Sequence, residues 1–518
     1  MADYRQPLLS PRSEDIDDHE QRLVQKSAAT AEASFAVGAG DIQPIRSLGD
    51  FSREFLAESG RLWFLAGPAI FMCLCQYSLG AVTQVFAGQV GTLELAAVSV
   101  ENSVIASFSS GTMLGMGSAL ETLCGQAYGA GQLDMLGVYL QRSWVILLAT
   151  SLLLSLLYVF AGPFLLLIGQ EASLSAAAGV FTIWMLPQLF AFAFNFPMVK
   201  FLQAQSKMAA IAGIAAAALV LHVALSWVLT LEVGMGVAGL AVALNVSWWF
   251  IDVAQFAYVV SGRCGRAWSG FTWKAFTNLW GFVKLSLASA VMICLEVWYF
   301  MVLILFAGYL KDAEVAVDAL SICMTIVGWT VTAAFGMNAA VSVRISNELG
   351  AAHPRTAKFA LVVAVISSFM VGIALALLLI LTRDHYPALF SNDLAVQRVV
   401  TKMTPLLALC IVLNNVQPVL SGVAVGAGWQ AVVAYVNIAS YYLFGIPLGL
   451  ILGYKSDMGI TGIWLGMMAG TAVQTLVLYW MIYKTNWNEE ASNAGDQIRK
   501  WGGDNSLNET TNDVVIVN

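Results

Sequence analysis

A chain of 518 residues in which 59% are hydrophobic and only 11% charged does not match any soluble globular class. The formal net charge of −7 comes largely from the two terminal segments, so it says nothing about an anionic or cationic ligand, and no nucleic-acid partner is expected. Seven scattered cysteines, Cys73, Cys75, Cys124, Cys264, Cys294, Cys323 and Cys410, argue against a disulfide framework or a metal site, and no cofactor is expected.

Residues 1–60 are polar, acidic and rich in glycine and serine, and read as a disordered cytoplasmic tail with no cleavable leader. Within it, Asp3 to Leu9 places an acidic residue ahead of Pro7-Leu8-Leu9, a pattern resembling sorting signals for the vacuolar membrane. Six apolar runs follow, near 62–86, 95–120, 143–162, 177–199, 209–230 and 237–260, making a first lobe over 61–262. Residues 263–283 interleave Arg263, Arg266 and Lys274 with Trp268, Phe271, Trp273 and Trp280. That composition suits an amphipathic linker at the lipid headgroups or a plain aromatic belt. Six more runs, near 284–309, 315–340, 358–382, 402–425, 431–453 and 460–483, make a second lobe over 284–484, and 485–518 reads as a second disordered tail. Each run is long enough to cross a bilayer, which predicts an all-α polytopic membrane protein of twelve transmembrane helices.

The halves repeat each other at a spacing of roughly 220 residues. MGVAGLAVA, Met235 to Ala243, echoes MGITGIWLG, Met458 to Gly466, and GMGSAL, Gly115 to Leu120, echoes GMNAAV, Gly336 to Val341. Gly129 and Gly350 follow the second pair at equal distance, and Gly88, Glu94 and Ala96 echo Gly308, Glu314 and Ala316. An even number of spans in each half makes the two lobes parallel pseudo-symmetric repeats with a cleft between them, the build of a transporter. The tails and even-numbered loops hold 20 of the 25 Lys and Arg residues. That asymmetry predicts both termini in the cytoplasm. On this topology the acceptor pattern Asn508-Glu509-Thr510 never meets the glycosylation machinery.

Ionisable groups inside spans are costly and therefore candidates for function. Glu296, near the middle of helix 7, is the expected proton carrier, with Asp318 of helix 8 as a second proton-binding group; the alternative for Glu296 is a buried acid paired with a neighbouring donor. The repeat sets Gln76 of helix 1 opposite Glu296, so the acid belongs to one lobe only. Glu101, His222 and Asp252 are weaker first-lobe candidates, the histidine reading better as a hydrogen-bonded structural group. Gln76, Gln188, Asn195, Tyr299, Asn414, Gln417 and Asn437 are the expected lining of the substrate cleft. Pro187 pairs with Pro405 and Pro197 with Pro418 across the repeat; in helix 10, Pro418, Gly422 and Gly426 suggest a hinge, or else a close-packed face.

Several runs together resemble the plant multidrug and toxic compound extrusion transporters, over about residues 55 to 490. They are CGQAYGA from Cys124, MLPQLFAFAF from Met185, KFLQAQSK from Lys200, CLEVWYF from Cys294, SVRISNELGAA from Ser342 and SGVAVGAGWQAVVAYVN from Ser421. DALSICM from Asp318 and LNNVQPVLSG from Leu413 look most like the vacuolar flavonoid-transporter branch. The resemblance implies a V-shaped molecule of two six-helix lobes exchanging protons for organic solutes, with Glu296 at the position of the helix 7 acid. Many plant relatives carry a helix 10 aspartate where this chain has Asn414, and the branch implies that Asp318 supplies the second carboxylate instead.

The expected activity is therefore proton-coupled export of planar organic metabolites such as flavonoid glycosides, by a monomer in the vacuolar membrane. Its partners are protons, a small organic substrate and the bilayer. The plasma membrane, with alkaloids, organic acids or xenobiotics as cargo, is the alternative. A major-facilitator carrier would show a basic signature after its second helix, where this chain has GQAYGAGQLDMLG, Gly125 to Gly137. An enzyme would need a metal motif or a nucleophile with its base, and the four histidines lie far apart. A channel would share the polar lining but not saturable, gradient-driven uptake.

Overall fold

The computed structural model describes residues 40–307, 313–456 and 458–501, and leaves aside the side chains at 300, 303–305, 307 and 313–318. The sorting pattern at Asp3 to Leu9, the Asn508 acceptor and the Asp318 side chain lie outside the described residues. Ten helices in that set are long and apolar enough to cross a membrane, and a bent pair makes an eleventh. The first lobe begins with α1 (Leu48–Val90) and α2, which runs through Thr92–Val100, a wider π turn at Glu101–Ala106, and Ser107–Gly129. It continues with α3 (Asp134–Val159), α4 (Ala172–Trp184 and Leu186–Ala204), α5 (Met208–Glu232) and α6 (Gly236–Arg263). The second lobe holds α7 (Leu279–Ala307), α8 (Ala313–Gly350), α9 (Pro354–Thr382), α10 (Leu394–Ala427), α11 (Gln430–Lys455) and α12 (Gly459–Lys484), and α13 (Trp487–Lys500) follows. Counting α2, which carries Glu94, Glu101 and Glu121, twelve segments pass back and forth as the repeat predicts.

Local sequence explains the interruptions. The two parts of α4 meet at 49° immediately before Pro187, whose ring and missing N–H oppose helix in the preceding turn. Pro405 and Pro418, by contrast, sit inside an unbroken α10, which ends at Gly428 in the left-handed region with φ 85°.

The internal repeat reappears as geometry. Gly115 of α2 lies against the Ala290 backbone of α7, and its counterpart Gly336 of α8 lies against the Ile70 backbone of α1; a methyl group at either glycine would overlap that backbone. Helices α1, α2, α7 and α8 thus form the seam between lobes, and small residues permit the close approach. Stacked Phe108 and Trp298, with ring centroids 5.5 Å apart, and edge-on Tyr77 and Trp329 at 4.8 Å, add aromatic contact across it.

Both terminal boundaries need correction. The segment expected as a disordered tail to residue 60 becomes helical at Leu48, capped by Ser47, whose Oγ accepts from the Asp50 amide. Before it, Asp41 Oδ1 accepts from the Thr356 amide at 2.8 Å and from its hydroxyl at 2.9 Å, tying the chain to the start of α9. At the other end α13 is docked, because its polar sequence hides one apolar stripe: Trp487, Ala494 and Ile498 are buried, the first two within the second-lobe core, and Trp501 packs edge-on to Phe282. The linker 263–283 divides into short turns at Gly265–Ala267 and Trp273–Phe276. Trp268 turns inward against Trp144 and Phe256, whereas Phe271, Trp273 and Trp280 remain exposed.

Candidate functional site

The polar residues expected to line one cleft are distributed over several places. Glu296 and Gln417 meet: Gln417 Nε2, from α10, donates to Glu296 Oε1, from α7, at 2.9 Å. Gln417 is buried and Glu296 half-buried. One turn earlier on α10, Asn414 is buried and donates to Cys410 Sγ at 3.1 Å. Asn437 of α11 links helices, donating to the Met292 carbonyl at 3.1 Å and accepting from Gln474 Nε2 at 3.2 Å. Tyr442 donates to the Leu295 carbonyl at 3.0 Å, fixing α7 on the turn that carries Glu296. Tyr299 does not face a cleft: it is fully buried, its hydroxyl donates to the Met467 carbonyl at 2.9 Å, and its ring stacks on Tyr441 with centroids 4.3 Å apart. A phenol on an apolar helix satisfies its hydroxyl on the nearest free carbonyl lone pair, here that of α12.

Gln76 and Gln188 line a cavity of about 270 Å³ in the first lobe, together with Glu101, Asn102 and Trp248. Gln76 Nε2 and Glu101 Oε1 are buried with no partner among the described residues. Asn195 stands apart from that cavity lining, donating to Asp252 Oδ1 at 3.0 Å. His222 is wholly buried, with Thr83 Oγ1 3.0 Å from Nε2 and Ser247 Oγ 3.2 Å from Nδ1, the hydrogen-bonded structural role expected of it.

The suggested hinge in α10 coincides with a close-packed face. A side chain at Gly422 would meet the Asn338 carbonyl and one at Gly426 the Ser342 carbonyl, both of α8, while Asn338 Nδ2 donates to the Pro418 carbonyl at 2.6 Å. These residues hold α10 against α8 along an uninterrupted helix.

Such paired six-helix lobes match known proteins closely. The MatE family model covers residues 68–228 and 288–451. The chain belongs to the MATE family. Protein DETOXIFICATION 29 of Arabidopsis thaliana is 66% identical over 464 residues, 90% of this chain and 93% of that protein. Protein DETOXIFICATION 31 of the same plant is 62% identical over 507 residues, 97% of each. The crystal structure of the eukaryotic MATE transporter AtDTX14 superposes with a TM-score of 0.82 at 34% identity, covering 86% of this chain and 99% of that one. A point mutant of the Vibrio cholerae MATE transporter VcmN shares the fold with a TM-score of 0.75 at 17% identity, over 84% and 99%. This MATE protein is accordingly a multi-pass membrane transporter and not an enzyme.

Sequence reasoning passed over a buried charge cluster around Arg344. Arg344 of α8, 1% exposed, gives Nε to Glu58 Oε1 at 2.7 Å and Nη2 to Glu58 Oε2 at 3.0 Å, and pairs through Nη1 with Glu348. His353 Nδ1 lies 2.8 Å from the other Glu348 oxygen, and Arg61 3.3 Å from Glu58. Lys200 and Glu121 form a second pair at 2.6 Å in the first lobe. The signal was present in SVRISNELGAA, where Arg344 and Glu348 stand one helical turn apart. Glu58, however, was assigned to the tail.

Proposed function

We propose that this MATE transporter is a proton-coupled antiporter, acting as a monomer, that carries planar organic metabolites of the flavonoid-glycoside class from the cytosol into the vacuole. The observation that carries the reading is Glu296, a half-buried carboxylate inside a span whose hydrogen-bond partner among the described residues is a neutral amide, Gln417. An acid without a fixed counter-charge in a low-dielectric setting can exchange a proton as its surroundings hydrate and dehydrate. The resemblance to the vacuolar flavonoid branch supports the cargo and the destination, and Asp318 supplies the second carboxylate. One pH unit provides about 1.4 kcal/mol per proton, roughly tenfold accumulation of a neutral solute. Both termini face the cytosol in this reading, in keeping with the Lys and Arg distribution.

The test is uptake of a flavonoid glycoside into proteoliposomes under an imposed pH gradient. Glu296→Gln keeps size and hydrogen bonding but fixes the neutral form, so gradient-driven uptake disappears while substrate binding persists; full gradient-driven uptake by the variant refutes the assignment. Glu101, with an unpartnered oxygen at the first-lobe cavity beside Gln76 and Gln188, supports a second reading in which that acid carries the proton. Glu101→Gln in the same assay separates the two.

A further inference from the structure

Gly129 and Gly350, paired by the repeat near the ends of α2 and α8, are left unexplained by proton coupling. Gly125 of α2 lies against the Ser346 side chain of α8, Gly129 against the Asn347 carbonyl, and Gly350 against the Gln126 carbonyl. In each case a Cβ would overlap the opposite helix. Gln126 and Asn347 are repeat counterparts at the same offset as Gly129 and Gly350, so each glycine rests on the carbonyl of the residue three before its own counterpart. The hydrogen bonds follow the same symmetry to within one residue. Gln126 Nε2 donates from the first lobe to the Gly426 carbonyl at the end of α10, at 3.4 Å. Asn347 Nδ2 donates from the second lobe to the Ala204 carbonyl at the end of α4, at 3.2 Å. Thr122 of α2 adds a bond to the Val425 carbonyl and accepts from Gln430 Nε2 at 2.7 Å.

We propose that this pseudo-twofold clasp is the gate at the basic end of the transporter, closed in the present conformation and parted once in every cycle. The claim rests on membership of the MATE transporters and not on Glu296 or on the cargo. Two features suit a contact that must close tightly and also release. Sealing relies on backbone-to-backbone approach, which is lost over a small separation and requires no side chain to be threaded or withdrawn. Closure also leaves Gln126 Oε1 and Asn347 Oδ1 buried with no partner among the described residues, a cost that separation returns by exposing both oxygens to solvent. Among the described residues, each repeat thus contributes one unsatisfied amide oxygen to the closed clasp. Substituting alanine for Gly129 and Gly350 inserts a methyl group where a carbonyl stands and should hold the gate ajar.

The experiment places spin labels at Trp273→Cys in the first-lobe linker and Lys358→Cys at the start of α9, both exposed positions. Cys73 is changed to Ser and the other six native cysteines, all buried, are kept. Inter-label distances are measured by pulsed electron resonance on the full chain in lipid nanodiscs. In Gly129→Ala with Gly350→Ala, a longer distance should appear, its population relative to the short one rising at least about tenfold over the unaltered clasp. Gly213→Ala, where a methyl group meets open space, should leave the distances unchanged. An unchanged distribution in folded Gly129→Ala with Gly350→Ala overturns the proposal. If that pair does not reach the membrane, Gln126→Leu with Asn347→Leu, which removes the crossing bonds without bridging the glycine gap, must show the same lengthening, and unaltered distances there overturn it equally. Loss of gradient-driven uptake with normal gate distances would bear on the proton site and leave the gate standing.

Discussion

Removing the Arg344 guanidinium offers the sharpest stability test of the packing. In Arg344→Met the side chain keeps comparable length, but Glu58, 3% exposed, and Glu348, fully buried, lose their shared cation. Breaking a buried pair by deleting one partner costs about 3–5 kcal/mol, because the remaining charge stays desolvated and unpaired. Here two carboxylates are stranded, and Arg61 and His353, at 3.3 and 2.8 Å, compensate only in part. A loss of about 4 kcal/mol is expected. The assay is reversible denaturant unfolding of the purified full chain in mixed micelles, alongside its melting temperature by size-exclusion fluorescence. The same reasoning requires rescue: Arg344→Met combined with Glu58→Gln and Glu348→Met removes the stranded charges and should recover at least half of the loss, since neutral groups of similar volume avoid the desolvation cost. A loss below about 1 kcal/mol in the single variant, or a triple variant weaker than the single one, would refute the reasoning.

Gly426→Val places branched methyl groups against the Ser342 carbonyl and Ile345, so it should cost about 1–3 kcal/mol and lower folded protein and transport in equal proportion; normal expression with slowed transport would restore the hinge. Trp501→Ala should destabilise by about 3 kcal/mol, because the ring is buried against Phe282 and Gly281, and unfolding curves unchanged by the substitution would return the C-terminal segment to the status of a tail.

The sequence alone determined that the chain crosses a membrane about twelve times in two equivalent halves. Hydrophobic run length and a repeat offset are one-dimensional quantities, and the bilayer imposes helix on every such run. It also marked Glu296, since an acid in a span is conspicuous whatever surrounds it. The partner of each polar residue was decided only in three dimensions. Gln417 and Asn437 look alike as isolated amides in apolar helices, yet one reaches Glu296 and the other bridges to the Met292 carbonyl, according to which face each helix turns toward its neighbour. Tyr299 read as part of the cleft lining until α12 was seen to supply carbonyls beside its hydroxyl. The tails were misjudged because a polar average conceals a sparse stripe: Trp487 and Ala494 gain burial only when the rest of the second lobe is already folded beneath them. Glu58 and Arg344 lie 286 residues apart in the chain, and a charge pair at that separation exists only once the closing of the lobes has brought α1 onto α8.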